Sequence, residues 1–512
     1  MTPPAGVFDV LEGPLRDSPG HPAVVTRRAT LTYAELNDLA DRAAGALHGF
    51  GIRPGDRVAA SMPNDLDIVA AFHGAMRLGA VWVGINRALA APEKLFMLDD
   101  CGPKLYLVDD TEDPGDGFAE LRAKLDGRVN IAGVGAWRDG VATSSGRPDL
   151  PSPDPSAPAG IAYTSGTTGF PKGAVHCQAA LLMPGAATVA RRGWDGRLRK
   201  GDSLPLTILN MMALTTLLTS QAGGTAVIID QPDVSSVVRW IREQQVTVWN
   251  GPPAQLHTMV HDPSISAGDL STLSEVWVGG GDCRDSLRAG FEERFGVPVS
   301  RTYGLTEAPA LVSLDDLDGP KPSGTSGRPL DHITVRSEEG ELLLSPTQHG
   351  PWAGRYRPML GYWNRPEASA ESLAGGALHT GDLGLVGQDG HLRVLGRRSQ
   401  LIIRGGANVY PAEVERVLSE APGVQACAVA GVPDERLGER VGAVIQPVPG
   451  CRLDPTEIIA HCRVQLASYK VPERMAFVDQ LPRNQMGKVP RAAVTEILAG
   501  PRAFAPDERM KP

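Results

Sequence analysis

Apolar residues recur along this chain with two different periods, and the periods alternate. Leu36, Leu39, Ala40, Ala43, Ala44 and Leu47 share one face at helical spacing, which predicts a helix. Residues 57–62 then form a short apolar run that predicts a buried strand, stopped by Pro63 and Asn64. Residues 68–78 carry a second apolar-faced helix and residues 79–84 a second strand. This rhythm, spread over residues 31–110, predicts α/β layers, and it resumes with strands at 225–229, 246–249 and 275–278. Residues 145–159 form a proline-rich connector between the two stretches. From 340 to 395 the texture turns β-like, with strands at 341–344 and 391–395. After Gly396 a smaller α+β segment follows, with helices at 414–419 and 455–466 and strands at 425–431 and 440–448. No internal repeat is present, and the chain is expected to fray from about residue 501.

Composition narrows the class. At 512 residues the chain is long enough for two or more domains, and its 42% apolar and 21% charged residues are ordinary for a soluble globular protein. The net charge of −9 leaves no electrostatic footprint for nucleic acid or an anionic membrane surface. The six cysteines are scattered, without CxxC or His/Cys metal spacing, as expected of reduced thiols. The N-terminal residues lack the pattern of a signal peptide, and the apolar stretch 179–190 is too short to span a membrane and carries Pro184 and Gly185. A cytoplasmic location is expected.

Candidate chemistry begins at Tyr163–Gly173, where four hydroxyls, three glycines and a lysine crowd into one loop fed by a predicted strand at 160–163. Glycines let backbone N–H groups approach an anion; Thr164, Ser165, Thr167 and Thr168 add side-chain donors, and Lys172 adds charge. That is a phosphate-holding composition. It is not the Walker loop, which needs Ser or Thr after the lysine, whereas Gly173 follows here.

Further segments carry catalytic residue types without apolar periodicity: Val278-Gly-Gly-Gly-Asp282, Thr302-Tyr-Gly-Leu-Thr-Glu307, His379-Thr-Gly-Asp382, Gly396-Arg-Arg398, Arg404-Gly-Gly-Ala-Asn-Val-Tyr-Pro411 and Asn484-Gln-Met-Gly-Lys488. With the hydroxyl-rich loop they resemble, in order and spacing, the motifs of the adenylate-forming (ANL) superfamily, in its acyl- and aryl-CoA synthetase (AMP-binding enzyme) branch. The resemblance runs from Leu31-Thr-Tyr-Ala-Glu-Leu36 to Lys488. It implies a multidomain α/β fold: a large N-terminal domain (residues 1–395) of two sheet-and-helix subdomains and a small β-barrel, a hinge at 396–400, and a mobile α+β domain at 401–500.

The resemblance also implies roles. Thr164, Ser165, Gly166, Thr167, Thr168, Gly169 and Lys172 would cradle the β- and γ-phosphates of ATP; Glu307 would hold Mg²⁺, and Thr306 would contact the α-phosphate. Tyr303 would offer a face to adenine, with Gly280 and Gly281 as the opposite wall and Asp282, Thr302 and Gly304 beside them. Asp382 would accept hydrogen bonds from both ribose hydroxyls, helped by Arg397. Lys488 would sit between the acid's carboxylate and the α-phosphate, where negative charge builds. Arg328, in Ser326-Gly-Arg-Pro329, matches a family motif without an assigned role.

For members that make thioesters, the small domain rotates about a residue just after the Gly-Arg pair. That position is Ser399 here, where the family more often has Asp or Lys. Gly405, Gly406 and Asn408 match the segment lining a pantetheine tunnel for CoA. Ile208, Met211, Met212, Asn250, Gly251, Pro252, Gly279 and Gly304 are the candidates for the acid pocket. Thr207 and Ile208 replace a frequent Phe-His pair, and no aspartate in 208–218 is available to bind an amino-acid ammonium, so a roomy apolar pocket is expected. The stretch 345–361 is rewritten relative to the family and is expected to be a surface loop without chemistry. The main expectation is a magnesium-dependent acid–CoA ligase acting on a hydrophobic acid. Its alternatives are an enzyme that loads a carrier protein or stops at the adenylate, or a non-catalytic nucleotide binder. A homodimer is compatible with all of them.

Overall fold

The computed structural model describes residues 4–110, 116–164, 171–279, 283–404, 407–434, 436–483, 489–501 and 503–504. The chain divides into two compact units, residues 1–335 with 343–380, and residues 336–342 with 381–512. The expected hinge at 396–400 therefore lies inside the second unit.

The first unit holds two large sheets. One runs Gly361–Tyr362, Lys172–Cys177, Pro158–Thr164, Val81–Gly84, Arg57–Ser61, Leu105–Val108, Asn130–Gly133. Its last five strands are parallel, and the Lys172–Cys177 strand is antiparallel to both its neighbours. The other has nine strands, with Val299–Tyr303, Glu275–Val278, Val248–Asn250, Arg199–Asp202, Thr225–Ile228 and Pro22–Val25 in parallel succession. Where the small barrel is expected, Ile333–Glu338, Glu341–Pro346, Leu378–Val386 and Leu392–Arg397 pair in that order, their residues divided between the first and second units.

Local chemistry explains the helices that cover these sheets. Helix Tyr33–Gly49 starts on a capping box: Thr32 Oγ1 accepts from Glu35 N, and the Glu35 carboxylate accepts from Thr32 N at 2.8 Å. Helix Leu66–Leu78 is buried on every side and stops at Gly79, whose φ of +73° a side chain would disfavour. The two helices pack into the largest core, with Trp82, Met76 and Leu47 fully buried.

The second unit carries a five-stranded sheet in which Gly438–Pro447 pairs antiparallel with Val424–Asp434 and parallel with Arg474–Phe477. Helices Pro411–Glu420 and Pro455–Gln465 bury Val414, Val417, Leu418, Ile459 and Cys462 in its core. Phe504, within the stretch expected to fray, exchanges two backbone hydrogen bonds of 2.9 Å with Met475. Among the described residues, no helix is long and apolar enough to cross a membrane.

Candidate active site

In the first unit, site residues gather where the strands end. The hydroxyl-rich loop leaves strand Pro158–Thr164 and returns through Lys172–Cys177, with Thr164 paired to Lys172 in the register. Thr164 Oγ1 donates to Lys172 O at 3.4 Å. Ser165, Gly166, Thr167, Thr168 and Gly169 lie outside the described residues. Asp100 ties down the loop's base: it accepts from Tyr163 Oη at 2.7 Å and from Arg365 Nη2 at 2.8 Å. Burial raises the Tyr163 phenol well above its ordinary pKa, so Tyr163 stays a neutral donor.

The segment Tyr303–Glu307 follows the strand Val299–Tyr303 and is held from the neighbouring sheet at two points. His176 is fully buried, and its Nε2 lies 2.8 Å from the Thr306 carbonyl. A carbonyl only accepts, so Nε2 carries the proton. Burial pushes the pKa of His176 down to about 4, which keeps the ring neutral. Tyr362 Oη donates to Glu307 Oε1 at 2.8 Å, and Met359 N donates to the Glu307 carbonyl at 2.8 Å. The Lys172 ammonium lies 5.2 Å from the centroid of the Tyr362 ring. Lys172, Thr306 and Glu307 are thus brought together as expected.

Close backbone approach explains the glycines here. A Cβ on Gly304 would meet the Ala310 carbonyl oxygen at 1.8 Å, and one on Gly279 would meet Thr302 Oγ1 at 2.1 Å. Ala310 itself adopts a φ of +63°, a conformation that costs energy for a residue with a Cβ. Gly280, Gly281 and Asp282 lie outside the described residues.

The acid-pocket candidates 208–212 lie beside this segment. Asn210 Nδ2 reaches the Leu305 carbonyl at 3.5 Å, and Met211 and Met212 share a core cluster with Ala310 and Leu311. Met212 is fully buried and packs as core, whereas Ile208 is partly exposed. The helix loosens into a π turn at Ala213–Leu217, a feature common near functional sites. Asn250 and Gly251 end the strand Val248–Asn250; a Cβ on Gly251 would meet Leu256 Cδ1 at 2.4 Å. Arg328 forms an ion pair with Asp316, its Nε 3.2 Å from Asp316 Oδ2.

Sequence reasoning passed over Tyr362, His176 and Met359. It took 345–361 for a plain surface loop, yet Tyr356 and Met359 are buried and Met359 supports Glu307. No periodic or compositional signal marks these partners, because each meets Thr306 or Glu307 from a distant part of the chain.

In the second unit, Asp382 and Arg397 are brought together, facing each other across an antiparallel pair with Arg397 Nε 3.1 Å from Asp382 Oδ1. Asp382 is buried. Ser399 lies in the short turn Arg398–Gln400 and Asn408 in the strand Ala407–Val409, their side chains outside the described residues. Gly405, Gly406 and Lys488 also lie outside them.

Among the described residues, no three His, Cys, Asp or Glu side chains converge on a metal site. Glu307 offers a hard carboxylate oxygen on the far side of Tyr362 from Lys172, which fits an ion taking its remaining ligands from phosphate and water.

This is the arrangement of a nucleotide-using enzyme with a large α/β body and a smaller α+β unit, and comparison with known proteins agrees. The family described as AMP-binding enzyme matches residues 11–363, and its C-terminal domain matches residues 413–488. The chain belongs to the AMP-binding enzyme family. It is 35% identical over 494 residues to a feruloyl-CoA synthase of Amycolatopsis sp, covering 94% of this chain and 96% of that protein. It is 32% identical over 501 residues to the fatty acid–[acyl-carrier-protein] ligase ScoC of Streptomyces coeruleorubidus, covering 95% of each. The crystal structure of ATP-bound MatB from Rhodopseudomonas palustris superposes with a TM-score of 0.86 at 28% identity, covering 96% of this chain and 98% of that one.

Proposed function

We propose that this chain activates a hydrophobic carboxylic acid with ATP and passes the acyl group to CoA. A carboxylate oxygen of the acid attacks the α-phosphorus and pyrophosphate leaves, giving an acyl-AMP. The thiol sulfur then attacks the acyl carbon, AMP departs with the bonding electrons, and the thiol proton is released. Both reactants of the first step are anions, so the protein must position them and offset their repulsion.

Lys172 and the hydroxyl-rich loop bind the β- and γ-phosphates, and Thr306 orients the α-phosphate. Glu307 is the carboxylate that holds Mg²⁺, which when bound neutralises phosphate charge. Tyr303 and the glycines before Asp282 bracket the adenine, while Asp382 and Arg397 take the ribose. Lys488 serves the first step; Gly405, Gly406 and Asn408 line the thiol's path in the second, after rotation about Ser399. Ile208, Met211, Asn250 and Gly251 line the acid's pocket, whose apolar character favours aryl, alicyclic, terpenoid or fatty acids.

The observation that carries this reading is the grouping of Lys172, Thr306 and Glu307 at the strand ends, with opposite charges on the two sides of Tyr362. Pyrophosphate exchange across a panel of carboxylic acids tests it: exchange driven by apolar acids supports it, and no exchange with any acid refutes it. The similarity to ScoC favours a second reading, in which a carrier protein's phosphopantetheine is the acceptor. Supplying the preferred acid and ATP with CoA or with a loaded-ready carrier protein separates the two.

A further inference from the structure

We infer that Tyr362 is a positioning residue that holds Glu307 for the metal and Lys172 for the phosphates, and keeps these two opposite charges from neutralising each other. The inference rests on the reading of Glu307 as the metal-holding carboxylate.

The register places Tyr362 where it must do this. Tyr362 pairs with Ala174 across the antiparallel ladder, so Lys172 and His176, two residues either way, share its face of the sheet. His176 holds the Thr306 carbonyl from that face, and Tyr362 holds the next residue, Glu307, by its carboxylate. The flanking backbone is fixed as well: Leu360 N donates to Val175 O and Trp363 N to Gly173 O, each at 2.7 Å. Tyr362 is therefore locked to the strand that carries Lys172, and its two ends meet two different charges. The ring face lies 5.2 Å from the ammonium, where its quadrupole attracts a cation. The hydroxyl donates to Oε1 of the carboxylate, a charge-assisted bond that orients the group and leaves Oε2 for another partner. Among the described residues, Lys172 forms no ion pair with Glu307 or any other carboxylate. Without the phenol between them, the two groups could turn toward each other and offer less charge to nucleotide and metal.

Tyr362→Phe separates the two functions, because it keeps the ring and removes only the hydroxyl. Mn²⁺ binding is followed by electron paramagnetic resonance in the presence of an ATP analogue with a methylene bridge between the α- and β-phosphates. Binding of that analogue without metal is measured in parallel. Tyr362→Phe should weaken Mn²⁺ about tenfold, as loss of a hydrogen bond to a charged group does, while metal-free analogue binding stays within about twofold. Tyr362→Leu should lose both. With Glu307→Gln already present, adding Tyr362→Phe should weaken Mn²⁺ no further, an outcome that general loosening of the fold would not produce. Melting temperatures of all variants accompany the measurement. Wild-type Mn²⁺ affinity in Tyr362→Phe, or full additivity with Glu307→Gln, overturns the inference. Unchanged Mn²⁺ affinity in Glu307→Gln alone instead removes the metal reading beneath it.

Discussion

In the first unit the Asp100–Arg365 pair ties the base of the hydroxyl-rich loop, but the rest of the site is held by backbone contacts with no room for a side chain and by buried neutral groups. In the second its residues sit in a framework of charge pairs. Gly304 lies against the Ala310 carbonyl, Gly279 against Thr302 Oγ1, and Gly84 against the Thr207 carbonyl, each closer than a Cβ allows. His176 contributes its hydrogen bond from the core. The second unit relies instead on Arg397 with Asp382, Arg404 with Glu473 at 2.6 Å, Lys470 with Glu413 at 2.7 Å, and Arg491 with Glu415. Several of these side chains are partly exposed. Close backbone contacts cannot be exchanged without rebuilding the loop, whereas partly exposed ion pairs can break and re-form at little net cost. The contrast suits a body that must stay preorganised and a smaller unit proposed to change position between two half-reactions.

Acid should therefore strike the two units unequally, and this is the largest effect expected. Burial lowers the pKa of His176 to about 4 and that of His73 and His332 to about 3, all three in the first unit. The unfolded chain binds a proton at each of these histidines below about pH 6.5, while the folded chain resists it. Their stabilising effect is thus complete above that pH and falls as the pH drops toward the folded values. Between pH 6.5 and pH 5 each histidine should cost the first unit about 2 kcal/mol. In the second unit, hydrogen bonds from the Leu437 backbone and the Arg440 side chain lower the pKa of Asp434, so its contribution survives to lower pH. Hydrogen exchange at pH 7 and pH 5 checks the difference: strands Arg57–Ser61 and Lys172–Cys177 should lose far more protection than Val424–Asp434. Equal loss in both would break the comparison.

The next effects are kinetic and local. Lys488→Ala should slow acyl-AMP formation by about 10²–10³, the cost of one transition-state donor, when single turnovers with acid and ATP are followed. Thioester formation from supplied acyl-AMP should change by less than about tenfold, because the lysine serves only the first step. Equal damage to both steps would remove that division of labour. Gly304→Ala, by contrast, should destabilise the first unit by about 1–3 kcal/mol, since the Ala310 carbonyl must move. Denaturant unfolding measures this, and a neutral result would mean that the loop yields where the comparison calls it rigid.

Much of this framework is legible in sequence, and the exceptions share a cause. The strand Glu275–Val278 was readable because Val276, Trp277 and Val278, buried on both sides, make an unbroken apolar run. The helix Tyr33–Gly49 was readable because its apolar face repeats and Thr32 and Glu35 cap it. The motif residues Lys172, Thr306 and Glu307 were readable as a set through their order along the chain. Tyr362 was not, because it meets Glu307 from 55 residues away, through a two-residue strand that local pattern does not announce. Nor was the burial of Met211 and Met212, which share a core cluster with Ala310 and Leu311, about a hundred residues further along the chain. Local periodicity reports which face is buried; it does not report which distant element lies against it.

The smallest effect tests the second half of the comparison. Arg397 is partly exposed while its partner Asp382 is nearly covered, so the pair is neither fully solvated nor fully buried. Arg397→Gln keeps a hydrogen-bond donor near Asp382 but removes the charge. A partly exposed pair contributes on the order of 0–1 kcal/mol, so the melting temperature of the second unit should barely move. If Asp382 and Arg397 hold the ribose together, the KM for ATP should rise severalfold while kcat for adenylation stays within about threefold, since the pair touches the nucleotide away from the reacting phosphorus. Should the melting temperature instead fall by many degrees with KM unchanged, the pair is a structural brace, and the second unit is built as rigidly as the first.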